Sequence, residues 1–398
     1  MVIRQYVQCA TCDEKYMLRV GVGIEPYEIH FFDCIGCDLP ITIALQSKAP
    51  HAHVKPLENV IAIEEQHDED VTIINLHPNF AFDVNEINSN LTFASMAYLH
   101  KISPFMRMVP GRYQDVARQF DIPNATFLWG HIKKILLLRD KDSKSKIVEK
   151  NINIYEQQRR KIFPDTSISN HYQAVYNFFY GLFHPKFENL LNPAQVLVEK
   201  AKNDFPDEFE KYKVYYLSNL KRESDQRYIS IFNDYFKLRT ELCQMLIHAR
   251  IGDFDIENKV VGSRNFDIVK LFYGQAYETL TSQFVTFACI NNILSRRKFD
   301  EFMAMNLNKY IKDLEKSKKA NPFSGVPEFY SFATHLDSAL RNGSHHASIW
   351  REGGIVKYKS GGNGAAREMN YSRYLYLCNE LIIAISALCL LEMKLEEM

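Results

Sequence analysis

Apolar and polar positions change their spacing once along the chain. Through about residue 82 they read as short strands between turns. Residues 17–22 and 27–32 carry strand-forming side chains on either side of the Glu25-Pro26 turn, and 41–45, 60–64 and 71–76 continue the series. No long helical period occurs before about residue 112. Beyond it, Phe127, Leu128, Ile132, Ile135 and Leu136 mark one face of a helix over 125–138, with Asn124 in position to cap it. The charged stretch 139–150 predicts a linker or exposed turn. Helices are predicted again over 169–182, 193–203 and 207–250, the last breaking near Glu223, and from near Asn265 towards Leu294. Pro322, Gly325 and Pro327 then punctuate the chain before a helix over 328–340. At the end, 350–360 predicts a hairpin turning at Gly353-Gly354, 361–364 a loose loop, and 371–393 a long apolar helix. The expected fold is mainly α, with a small β-rich N-terminal region. Four consecutive stretches follow: 1–48, 49–111, 112–255 and 256–398.

Length and composition narrow the function. A chain of 398 residues with 46% hydrophobic positions has room for two or three domains with real cores. Lys plus Arg equals Asp plus Glu at 48 each, so nucleic acid cannot be held by the overall field and would need a local patch or recessed site. The start, MVIRQYVQC, lacks the apolar core of a secretory signal. The longest apolar run, 381–391, is shorter than the ~20 residues a bilayer crossing needs. A cytoplasmic protein without a membrane partner is expected. Four of the eight cysteines, Cys243, Cys289, Cys378 and Cys389, are scattered through apolar stretches, as small buried hydrophobes are in a reducing compartment.

The other four form two Cys-x-x-Cys knuckles, Cys9/Cys12 and Cys34/Cys37, with 21 residues between them. Two residues between cysteines let both thiolates face one ion from a tight turn, and two such turns make a closed tetrahedral site. The strand-turn-strand between the knuckles is expected to bring them together. Four thiolates leave no open position for water, so a bound Zn2+ would be structural rather than catalytic. The region resembles a zinc ribbon.

The most informative segment runs Leu340-Arg341-Asn342-Gly343-Ser344-His345-His346. In an unbroken helix, Arg341 and His346 would lie ~140° apart around the axis. Gly343 is a plausible helix stop that would let His346 fold back to the cleft of Arg341. RNA carries its own nucleophile, the 2′-hydroxyl. Its attack needs a proton acceptor, a donor to the leaving 5′-oxygen and a cation over the phosphoryl oxygens. Histidine can supply either proton role, and arginine offers a planar fork for phosphate. Asn342 can orient either. Asp337, one turn before Arg341, is placed for an ordinary helix pair with it.

The run Ala339-Leu340-Arg341-Asn342, then His346 after three residues, resembles the signature of the HEPN ribonucleases, and the hairpin and closing apolar helix that follow are similar to that family too. The resemblance covers about 130 residues from near Asn265. It implies a helical bundle that dimerises so that two motifs face each other, metal-independent cleavage of RNA, and Arg341, Asn342 and His346 as catalytic residues. Many members are toxins or antiphage effectors, so a trigger or inhibitor protein is an expected partner. His345 departs from the family pattern, which favours an apolar or small residue there, and it competes with His346. The alternative function is a non-catalytic adaptor whose bundle binds nucleic acid or protein; a DNA-binding zinc-ribbon regulator is a further rival, with neutral charge against it. His51, His53 and His335 read as ordinary surface or satisfied histidines.

Overall fold

The first two strands pair into a hairpin whose turn is a cysteine knuckle. The coordinates are a computed structural model and describe residues 1–48, 51–65, 71–106, 120–361 and 364–398. The boundaries expected near 49 and 111–112, and residues 362–363 of the expected loop, lie outside the described residues. By its internal contacts the chain forms two units, each assembled from three segments. The first comprises Met1–Asn124, Lys237–Phe272 and Asn342–Asn379; the second comprises Ala125–Phe236, Tyr273–Arg341 and Glu380–Met398. The chain is mainly α with small N-terminal sheets, as the periodicity predicts.

In the first unit, strands β1 (Val2–Cys9), β2 (Lys15–Gly21), β3 (Tyr27–Asp33), β4 (Pro40–Lys48), β5 (His51–Glu58), β6 (Val60–Ala62) and β7 (Thr72–Leu76) make two sheets. One has the order β6-β1-β2-β7, with β7 parallel to β2, and the other is the antiparallel meander β3-β4-β5. The strands flanking Glu25-Pro26 therefore form but do not pair with each other. Alternating inward residues fill the core, among them Leu18, Val20, Ile41, Ile43, Leu45 and Ile74. A helix over Ala94–Ile102, unexpected from the sequence, adds Tyr98 and Ile102 to it.

The same unit contains a three-stranded antiparallel sheet of Ile349–Glu352, Ile355–Lys359 and Ala366–Asn370. Its first turn is the predicted one, with Gly353 at φ +54°. The Arg351 guanidinium pairs with Asp33 at the end of β3 and lies 4.6 Å over the Tyr371 ring, which ties this sheet to β3.

The second unit is helical. Ala125–Leu138 forms as predicted and buries Leu128, Trp129, Ile132 and Ile135. Trp129 stacks on Phe236 at 5.2 Å while its indole N–H donates to Asn233. Of the expected linker, 139–144 is turn ending in the 3-10 turn Asp142–Lys144, but from Ser145 the chain is the helix Ser145–Arg160. Val148, Ile152 and Tyr155 recur at helical spacing on its buried side, and its many charges cover the other. The break in 207–250 is a π turn at Tyr216–Leu220, before Glu223. The expected helix over 328–340 is split into Pro327–Tyr330, a 3-10 turn Ser331–Ala333, and a later helix Ser338–His345. Asp337 starts that later helix by accepting hydrogen bonds from the N–H groups of Ala339 (2.8 Å) and Leu340 (3.0 Å). The apolar closing helix, Tyr371–Glu397, is by length and composition able to cross a membrane, yet its most apolar window is wholly buried inside the protein.

Candidate functional site

The two knuckles share one local structure. In each, the first cysteine N–H donates across the turn, from Cys9 to the Glu14 carbonyl and from Cys34 to the Leu39 carbonyl, both at 2.9 Å. In each, the residue after the second cysteine is an aspartate whose N–H returns to the first cysteine carbonyl, and it sits in the left-handed region, Asp13 at φ +63° and Asp38 at +59°. Aspartate tolerates that conformation better than most side chains. Each knuckle is thus the turn of its own hairpin, β1-β2 or β3-β4, which corrects the expectation that a single hairpin between them brings them together.

The four sulfurs lie within 4.8 Å of one another, with Cys9 Sγ to Cys37 Sγ at 3.8 Å and Cys12 Sγ to Cys34 Sγ at 3.4 Å. Thiolates ~2.3 Å from one tetrahedral ion stand ~3.8 Å apart, so the donor set fits a metal of zinc type. A Cβ on Gly36 would stand 3.0 Å from Cys12 Sγ, so glycine leaves room for the ligand. Tyr16, fully buried, has its hydroxyl 3.0 Å from Cys34 Sγ and accepts the Ile35 N–H at 2.9 Å. Burial pushes the Cys34 thiol up, but this hydroxyl, Cys12 and nearby backbone N–H groups outweigh it and favour the thiolate. Nothing in the sequence singled out Tyr16: its role depends on two strands of different sheets meeting.

The Arg-Asn…His segment departs from its expected geometry. The helix Ser338–His345 runs through Gly343, and the His346 N–H still bonds the Asn342 carbonyl at 3.0 Å. The left-handed residue that ends it is Ala347, φ +51°. Gly343 serves close packing instead: a Cβ there would meet Tyr358 Cβ at 3.2 Å and the Ser348 carbonyl at 3.5 Å. Helical phase therefore keeps His346 ~140° around the axis from Arg341 and puts His345 only ~40° away. Both imidazoles are exposed, and the Asn342 side chain reaches Ser360 Oγ at 3.5 Å.

Arg341 is held by a residue the sequence reading missed. Its Nε donates to Glu278 Oε1 at 2.6 Å and its Nη2 to the same oxygen. Glu278 comes from the helix Phe272–Leu294, 63 positions earlier, a separation that leaves no local signal. The other oxygen, Oε2, is 3.5 Å from Lys316 Nζ. Burial lowers the Lys316 ammonium below the usual lysine range despite Glu278, with Arg227 and Arg341 adding like charge. Burial, then Lys316 and Arg227, brings Lys319 to about 8. Two cations, Arg341 and Lys316, thus share the Glu278 carboxylate, while Arg227 pairs with Glu223 and the Lys319 ammonium donates to the carbonyls of Tyr310 and Ile311. Comparison with family models, curated proteins and solved structures finds no match.

Proposed function

We propose that the chain is a metal-independent endoribonuclease of the HEPN type, acting as a homodimer, with Arg341, Asn342 and His346 as its catalytic residues. The observation that carries this reading is the pair of cations on Glu278. Arg341 and Lys316 share its single carboxylate, and a phosphate would satisfy the excess positive charge. At the end of the Arg341 helix stand two exposed imidazoles, His345 and His346, a side-chain type that can serve as proton acceptor or donor.

In this mechanism one imidazole accepts the 2′-hydroxyl proton as that oxygen attacks the adjacent phosphorus. A second imidazole gives a proton to the departing 5′-oxygen. The products are a 2′,3′-cyclic phosphate and a 5′-hydroxyl, and Arg341 offsets the charge on the phosphoryl oxygens. Because helical phase separates Arg341 from His346, their convergence on one phosphate calls for motifs from two copies. The thiolate site would hold zinc structurally, since all four positions are filled by protein. A toxin or antiphage role, with a trigger or inhibitor protein, follows from the family resemblance.

The test incubates wild type, Arg341→Ala, His345→Ala and His346→Ala with mixed single-stranded RNA and EDTA. Cleavage with cyclic-phosphate ends, lowered ~10²–10⁴-fold by Arg341→Ala and His346→Ala, is the expected result. Cleavage by wild type and both variants alike would contradict the assignment. Intact RNA under every condition would favour the adaptor alternative.

A further inference from the structure

The first unit encloses a cavity of about 230 Å3, independent of the motif helix. Phe32, Phe80 and Phe82 supply apolar wall, and the exposed side chains of Ile35 and Val84 lie at its rim, where it meets solvent. Two of its lining residues carry buried polar atoms without a partner: Oδ1 of Asn75 on β7 and Nε2 of His30 on β3. Asn75 is 1% exposed and His30 4%.

The Asn75 amide cannot be turned over. Its Nδ2 donates to three carbonyls, those of Glu86 (2.9 Å), Ile87 (3.1 Å) and Ser89 (2.9 Å). The other end of the amide is therefore fixed as a carbonyl oxygen, an acceptor in search of a donor. Buried polar atoms of this kind cost ~1–3 kcal/mol each when left alone, and their pairing in one lined cavity calls for an occupant. Burial pushes His30 down to about 4 and His77, in the same wall, to about 3, so both rings are neutral at physiological pH. The one carboxylate in the lining, Asp33, is paired with Arg351, and with both imidazoles neutral and aromatic rings along the wall the occupant should be uncharged and flat. An apolar cavity of ~150 Å3 accepts benzene, so this one has room for a second fused ring.

We propose that this cavity binds an uncharged planar heteroaromatic molecule of up to two fused rings, one N–H of which donates to Asn75 Oδ1 while His30 Nε2 makes a second polar contact. This rests on none of the nuclease chemistry.

Indole and benzofuran, equal in shape and differing in the N–H, are titrated by calorimetry into the full-length protein, with the 15N-histidine resonances of His30 and His77 followed in parallel. Indole is expected to bind, to shift both resonances, and to bind ~10-fold or more tighter than benzofuran. Ala81→Leu, which fills the same lining, should abolish the indole signal. The wild-type comparison does not depend on that variant folding. Equal affinity of the two probes, no indole binding at ~1 mM, or binding that leaves His30 and His77 unmoved would overturn the proposal and leave a cavity that holds water only.

Discussion

The guanidinium of Arg341 places two donors, Nε and Nη2, on the single oxygen Oε1 of Glu278. One edge of the arginine is thereby anchored and its orientation fixed by a helix far away in sequence. A positioned arginine loses less freedom when phosphate arrives than a mobile one.

Glu278→Gln keeps the shape of this contact and removes its charge. On the proposed nuclease function, RNA cleavage should fall ~10-fold or more in kcat/KM with little change in melting temperature, because the pair is partly exposed. Arg341→Lys should not restore activity, since an ammonium lacks the fork. Full activity in Glu278→Gln would remove Glu278 from the account.

The cysteine cluster should hold about one zinc per chain by metal analysis, and Cys34→Ser should lose it. Tyr16→Phe deletes only the hydroxyl beside Cys34 Sγ. Weakening of metal affinity by ~10–100-fold, read by chelator competition, is expected for a partner of a ligand. Unchanged affinity would mean that the hydroxyl serves the Ile35 N–H alone.

Gly343 lies inside a helix, against Tyr358. Gly343→Ala gains ~0.5–1 kcal/mol of helix propensity and loses a similar amount to crowding, so denaturation should show little net change. Gly343→Val should cost ~1–3 kcal/mol by overpacking. A left-handed glycine would behave differently, with alanine already costing ~1–2 kcal/mol.

Glu392 is buried on the closing helix, accepting hydrogen bonds from Tyr228 (2.8 Å), Tyr216 (3.2 Å) and Thr286 (2.6 Å). Burial pushes its carboxyl up to about 7, those three donors opposing and Glu396 assisting. Unfolded, it would titrate at ~4.3. Between those values the folded state keeps a proton that the unfolded state releases, so stability from this group is complete below ~4.3 and declines as pH rises to about 7. Glu392→Gln has no such loss. Its melting temperature relative to wild type should rise from pH 4.5 to pH 8, by the equivalent of up to roughly 3 kcal/mol. A constant gap across that range would refute the shift.

Local information was legible in the sequence. Alternation and helical period located most strands and helices, including Ala125–Leu138 to its ends, and the spacing of Cys9, Cys12, Cys34 and Cys37 marked the cysteine cluster, because knuckles and single helices are built from near neighbours. Misreadings arose where a local pattern had two outcomes. The charges of 139–150 suit a solvated loop, which 139–144 is, or the outer face of a helix, which 145–150 is, and Val148, Ile152 and Tyr155 decided the second by finding a core. A glycine near a helix end suits a left-handed stop or a close contact, and Tyr358 decided that.

Only the tertiary structure could decide what depends on distant segments meeting. That includes the assembly of each unit from three stretches of chain, the Tyr16 hydroxyl beside Cys34, the seat of Arg341 on Glu278, and the cavity shared by His30 and Asn75. The physical reason is that periodicity reports which face of an element is buried, while the partner on the other side of that face is chosen by packing across the whole fold.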